Sequence, residues 1–381
     1  MTTFTYFEPL LDGHCTFWAN LVLTAAVKDA RISRLRLVTS AELVNRLDPN
    51  LPRIETHFIS ANSLAAMRQG GLMGRGRTQW AFARAVAEEF GGNVFLPFFD
   101  HAVVAAALDR RKISGRGFVN GIIFRPPNRF GLNTTPRTLA DAARRWATYS
   151  LASRRAAVRL FTFDEAAPVS RLGQLTGALH FLPDPTPNLS LLDKLQAVPR
   201  PDGRRVALLF GALTERKGLF QIIEAWERQS EGFLDGTVLR LVGRLGSEER
   251  PMFEAALAAL RVDCPRAVIE LVDRYVEDSE LAREVVNASL ILAPYQNHVG
   301  SSGALFWAAA AQKPILTQNT GLIGYQTSVY KIGRTTDCTN VVELGQALAM
   351  PWEVENMVPA LIARHSPENS VKILLNGCLK V

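Results

Sequence analysis

Short apolar runs alternate with longer amphipathic stretches along the whole of this chain, and few folds accommodate that alternation. In the first half the apolar runs are Phe4–Phe7, Leu35–Val38, Glu55–Ile59, Val94–Phe98, Gly117–Phe124, Val158–Phe163 and Leu179–Leu182. Helical patterns lie between them, clearest over Thr78–Glu89, Ala102–Arg111 and Leu139–Ser153. The second half repeats the scheme, with runs at Val206–Phe210, Val238–Val242, Val268–Val272, Leu290–Ala293 and Ile315–Thr317. Helices are expected over Leu219–Glu231, Ser247–Leu260, Ser279–Asn287 and Gly303–Gln312. Strands alternating with helices predict parallel sheets covered on both faces, an α/β architecture. A proline cluster (Pro183, Pro185, Pro187, Pro199, Pro201) reads as a linker. The 381 residues then divide into two doubly wound domains, 1–190 and 200–381. Ligands of such sheets bind beyond the carboxyl ends of the strands, so an active-site cleft between the two domains is expected.

The stretch Arg205–Gly218, RVALLFGALTERKG, narrows the chemistry. A strand runs into a glycine turn at Gly211, and a polar helix start bearing Arg216 and Lys217 is expected to follow. A helix N-terminus presents unpaired N–H groups and a partial positive charge. With two cations added, it can seat a phosphate or diphosphate. The other reading, two surface cations, carries the cost of placing them against the helix dipole. A second seat of the same kind follows the run ending at Pro294, in Gly300-Ser301-Ser302-Gly303. Two such turns in one domain suggest a nucleoside-diphosphate ligand.

Composition excludes several classes. No run approaches the roughly 20 apolar residues of a membrane span, and the N-terminus starts on a strand pattern rather than a signal peptide. Cys15, Cys264, Cys338 and Cys378 show no metal or disulfide spacing. A cytoplasmic location is therefore expected, with peripheral contact at the inner face of the plasma membrane as an extension. The net charge of +7 is spread over helices. It reads as solvated faces or as attraction to acidic partners, nucleotide-sugars or an anionic bilayer; no nucleic-acid motif is present. The six histidines form no spaced pair, and no Asp-x-Asp closes a strand, so no metal and no cofactor are expected. No G-x-S-x-G elbow supports a serine nucleophile.

Further candidates fall at strand ends. His14, after Asp12 and Gly13, reads as a sugar-binding group or as the start of a helix. Asp100 and His101 follow VFLPFF; Asp100 reads equally as a helix cap. Arg125 closes GIIF and suits an acidic acceptor or phosphate. Gly70–Arg77, GGLMGRGR, lacks the strand and the Gly-Lys-Ser ending of a phosphate loop. It reads as a flexible acceptor loop whose Arg75 meets an anionic acceptor. The closing KILLNGCLKV does not say where it docks.

The second half resembles the donor domain of glycosyltransferase family 4, retaining enzymes of the GT-B fold, in which two Rossmann-like domains face a cleft. The resemblance rests on FGALTERKG, LRLVG, RYVEDSELA, SLILAPY, GSSGALFWAAAAQKPIL and the turn Gly321–Gly324, in that order, with FLPDP closing the first domain. It implies that Arg216 and Lys217 hold the donor diphosphate and that Tyr275 and Val276 meet the base. It also implies that Ser301, Ser302 and Gly303 offer N–H groups, that Gly13 approaches the diphosphate, and that a first-domain histidine, His14 or His101, stands near the sugar. The family usually carries two glutamates around the Gly300 helix. Here those positions fall on Trp307 and near Val299, with Asn297 and His298 as replacements. The implied activity is metal-independent hexosyl transfer with retention, from a nucleotide-sugar to a glycan, lipid-linked or natural-product acceptor in polysaccharide biosynthesis. The alternatives are a catalytically degenerate protein that binds nucleotide-sugar or glycan, or an epimerase or phosphorylase on the same fold.

Overall fold

A computed structural model describes residues 2–379 apart from 12–14, 53, 70, 112, 114–116, 128–134, 156, 188, 193 and 354–357. The chain forms two compact units, one holding most of the residues up to Asp184, the other Pro185–Ser366. The division falls inside the proline-rich stretch. The closing helix, Pro367–Leu379, belongs to the first unit, where it packs against the helix Cys15–Lys28 and the strand Asn93–Phe98.

The first unit contains a seven-stranded parallel sheet: β1 (Thr2–Glu8), β2 (Ile32–Thr39), β3 (Glu55–Phe58), β4 (Asn93–Phe98), β5 (Val119–Ile123), β6 (Val158–Thr162) and β7 (Leu179–Phe181). Its spatial order is β3-β2-β1-β4-β5-β6-β7. The second unit contains β8 (Arg205–Phe210), β9 (Thr237–Val242), β10 (Ile269–Val272), β11 (Leu290–Ala293), β12 (Ile315–Gln318) and β13 (Gly333–Thr336), ordered β10-β9-β8-β11-β12-β13. Each sheet starts at a central strand, winds outward one way, then reverses. The reversal falls between β1 and β4 in one unit and between β8 and β11 in the other. This is the doubly wound arrangement, and its ligand crevice lies at the reversal.

The strands are apolar almost throughout because both sheet faces are covered. In β8, Val206, Leu208 and Phe210 enter one core while Ala207 and Leu209 enter the other. Fully burying each large aliphatic side chain stabilises by about 1.5–3 kcal/mol, so a polar substitution in β8 would disrupt one face whichever residue it struck.

Three local expectations are corrected. Arg216 and Lys217 do not occupy the first turn of an α-helix; they form the 3-10 turn Glu215–Lys217, and the helix Leu219–Glu227 starts beyond Gly218. Residues 72–77, expected in a flexible loop, open the helix Leu72–Phe90. The glycines there disfavour helix intrinsically, but Gly76 lies where a Cβ would meet the His101 carbonyl oxygen at 2.0 Å. Close packing therefore overrides propensity. The edge strand β13, sequence GRTT, was not anticipated, because it has no apolar residue to signal it.

Gly218 is required twice. Its φ is +75°, and a Cβ would lie 2.1 Å from the Pro294 carbonyl oxygen. Gly218→Ala should destabilise the second unit by about 2 kcal/mol or more. Its melting transition should then fall by roughly 2–4 °C per kcal/mol. An unchanged transition in calorimetry would contradict this packing.

Candidate functional site

The second unit's reversal point carries a connected polar group. After β8 the chain turns at Gly211, φ +101°, and reaches Lys217; after β11 it runs through Pro294 to Tyr295. Lys217 Nζ donates to Tyr295 Oη at 2.6 Å and lies 4.2 Å from the ring centroid. Ser302 Oγ donates to the same hydroxyl at 3.0 Å. The Gln296 N–H donates to the Arg216 carbonyl oxygen at 2.9 Å, a second tie across the crevice. Tyr295 is 1% exposed and belongs to the core beneath, so the ammonium is fixed by a buried anchor. Tyrosine in an apolar run reads as core, and nothing in the local pattern signals this second role.

Ser302 caps the helix Gly303–Ala310, its Oγ accepting from the Ala304 N–H at 3.2 Å. The Leu305 N–H is taken by the Ser302 carbonyl oxygen. The Gly303 N–H has no acceptor among the described residues, and the buried Ser301 Oγ has no partner. The start of this helix therefore offers unspent donors where the helix dipole is positive.

His298 completes this edge. Its Nε2 lies 3.0 Å from the Ser301 carbonyl oxygen, and its Nδ1 lies 3.5 Å from Arg216 Nη1. A neutral ring with the proton on Nε2 serves both, donating to the carbonyl and accepting from the guanidinium. Asn297 precedes it at φ +52°, a conformation asparagine tolerates better than most residues. The structure thus brings together Gly211, Arg216, Lys217, Asn297, His298, Ser301, Ser302 and Gly303. Tyr275 and Val276 lie apart, after β10. Tyr275 is 72% exposed, with its carbonyl oxygen accepting from Arg274, and Val276 packs on the core. Trp307 is buried in the core beneath the Gly303 helix.

In the first unit, Gly13 and His14 lie outside the described residues. Asp100 does not cap a helix, because Ala102 stands at that position. Its carboxylate accepts from the Phe124 and Arg125 N–H groups at 2.8 and 3.2 Å, tying the end of β4 to the end of β5. Burial raises its pKa, and these two bonds oppose the rise. His101 is held below the usual histidine range by burial, then by the Arg75 charge, with Arg125 adding to it and Asp100 opposing. It is therefore neutral near pH 7. Its buried Nδ1 has no partner, nor has the buried Nε of Arg75. Asp100, His101, Arg125 and Arg75 form one electrostatic cluster at the carboxyl ends of β4 and β5, with unsatisfied nitrogens suited to an anion. Among the described residues no group of three His, Cys, Asp or Glu side chains could hold a metal ion.

Glu8, at the carboxyl end of β1, was not anticipated. It is fully buried, with Oε1 accepting from the Leu10 N–H at 2.9 Å. Burial pushes its pKa up to about 8, against the Leu10 N–H, the Cys15 thiol and the Arg68 charge. The folded state therefore holds a proton that the unfolded chain releases near the ordinary glutamate value of 4.5. Stability from this group is complete below the unfolded value and is lost as pH rises toward about 8. The slope between is about 1.4 kcal/mol per pH unit for full differential protonation. Glu8→Gln should flatten the first unit's melting temperature between pH 5 and about 8. Identical pH profiles for the variant and the parent would show that Glu8 does not titrate there.

No protein-family model and no curated protein match the sequence. Solved structures do match along the whole chain. A UDP-forming α,α-trehalose-phosphate synthase from Burkholderia xenovorans superposes with a TM-score of 0.67 at 10% identity, covering 100% of this chain and 99% of that one. WaaG, a glycosyltransferase involved in lipopolysaccharide biosynthesis, gives 0.59 at 16%, covering 97% and 94%. The lipopolysaccharide outer core galactosyltransferase WaaB gives 0.64 at 13%, covering 98% of each. With identities this low the likeness establishes the fold, and the fold is GT-B.

Proposed function

We propose that this chain transfers a glycosyl group from a nucleoside-diphosphate sugar to an acceptor hydroxyl. The observation that carries the proposal is the Lys217–Tyr295–Ser302 group at the reversal of the second sheet. A donor diphosphate at this point would meet the Lys217 ammonium, the Arg216 guanidinium and the Gly303 N–H. Departure of the diphosphate breaks the bond from the anomeric carbon to its phosphate oxygen and leaves new charge on that oxygen. Fixed cations and helix N–H groups stabilise such charge without reorganising. The acceptor oxygen forms the new bond to the anomeric carbon and gives its proton to the departing diphosphate. That route lessens the need for a protein carboxylate as base.

The finer points belong to the same reading. Membership of glycosyltransferase family 4, retention and hexosyl transfer rest on the ordered motifs between Phe210 and Gly324. Metal independence is proposed because Arg216 and Lys217 supply the charge a metal would. An acceptor with an anionic group is favoured by the Arg75, His101 and Arg125 cluster, and lipid-linked or surface-glycan acceptors fit that chemistry. Among the described residues no helix is long and apolar enough to cross a membrane. None of the four cysteines forms a disulfide, which suits a reducing compartment. The net charge of +7 would favour contact with an anionic membrane surface.

The test is a panel of nucleotide-sugars incubated with candidate acceptors in EDTA, with released nucleoside diphosphate and glycosylated product followed together. Both should appear with one donor. Arg216→Ala and Lys217→Ala should each weaken nucleoside-diphosphate binding by about 1.5–3 kcal/mol in calorimetry. Tight donor binding without any product would instead mark a binding protein on this scaffold. Unchanged affinity in both variants would remove the diphosphate seat.

A further inference from the structure

A cavity of about 220 Å³ lies in the second unit at the opposite end of the sheet from the diphosphate seat. Leu290, Ile315 and Gly333, the first residues of β11, β12 and β13, line it. Strands of this length separate its floor from the turn bearing Tyr295 by roughly 13 Å, so it is a separate site.

Its walls combine an aromatic ring with cations. The Trp352 indole is fixed from outside the cavity: Nε1 donates to the Leu348 carbonyl oxygen at 2.8 Å, and Arg205 stands 4.3 Å from the ring centroid. Arg205 does not line the cavity, whereas Trp352 does. Arg334 lines it, half-buried and without an ion pair among the described residues. Lys331 lines it from a backbone at φ +49°, a left-handed conformation for which glycine is the ordinary choice. Among the described lining residues Glu353 is the one carboxylate, beside the two cations Lys331 and Arg334.

We propose that this cavity binds a small ring-bearing anion of the monosaccharide monophosphate class. The indole suits the apolar face of a sugar ring, and a guanidinium pairs with phosphate in a two-pronged geometry. The volume lies below the roughly 300–1,000 Å³ of pockets for drug-sized ligands, which excludes a nucleotide-sugar.

The experiment is calorimetric titration with glucose 1-phosphate, with glucose and inorganic phosphate as its two halves, on the parent protein, Arg334→Gln and Ser328→Trp. Ser328 is exposed and lines the cavity, so tryptophan there enters the space from the solvent side. The parent should bind the sugar phosphate more tightly than either half. At least one variant should lose about tenfold or more in affinity, the scale of one charge-assisted hydrogen bond, while melting at the parent temperature. Parent affinity retained in both variants, or no binding to the parent at about 10 mM, would overturn the assignment.

Discussion

In a parallel sheet every strand delivers its carboxyl end to the same edge, and every connection must return over a face. That constraint organises both units of this protein. It buries the strands on both sides, which requires their continuous apolar character. It also gathers the turns after the strands along one edge, so residues distant in sequence become neighbours. Lys217 and Tyr295 are 78 positions apart and 2.6 Å apart in space because β8 and β11 are adjacent where the winding reverses.

The polar groups at that edge are mutually supporting. Lys217 is held by a hydroxyl that is itself buried, Ser302 meets the same hydroxyl while capping a helix, and His298 connects that helix's lead-in to Arg216. A cation fixed this way loses little freedom when it meets an anion. The first unit places a different chemistry at the corresponding edge: a buried acid at Glu8 that holds its proton to about pH 8, and a neutral His101 among two guanidinium groups.

Much of the fold could be read from the sequence because strands covered on both faces are written as uninterrupted Val, Ile, Leu and Phe. The exceptions have physical causes. Strand β13 lies at a sheet edge and consists of GRTT, with no apolar signal. The start of the helix Leu72–Phe90 carries glycines that local propensity assigns to a loop, and only the approach of Gly76 to the His101 backbone explains them. The closing helix docks in the first unit through Gly377, against Phe161, and through the Arg31–Asn376 hydrogen bond, none of which leaves a trace in local pattern. At the site, the cations and the glycine-serine turn were legible as charge and turn chemistry. Tyr295 and Glu8 were not, since one resembles core and the other an ordinary surface acid.

The account depends on the crevice between the ends of β8 and β11 being the place where a diphosphate sits. A crystal structure of the protein with UDP bound tests this most directly. It should show phosphate oxygens within hydrogen-bond reach, about 2.7–3.2 Å, of Lys217 Nζ and the Gly303 N–H, with Tyr295 still bonded to the lysine. A nucleotide bound elsewhere, with Lys217 still turned only to Tyr295, would contradict it.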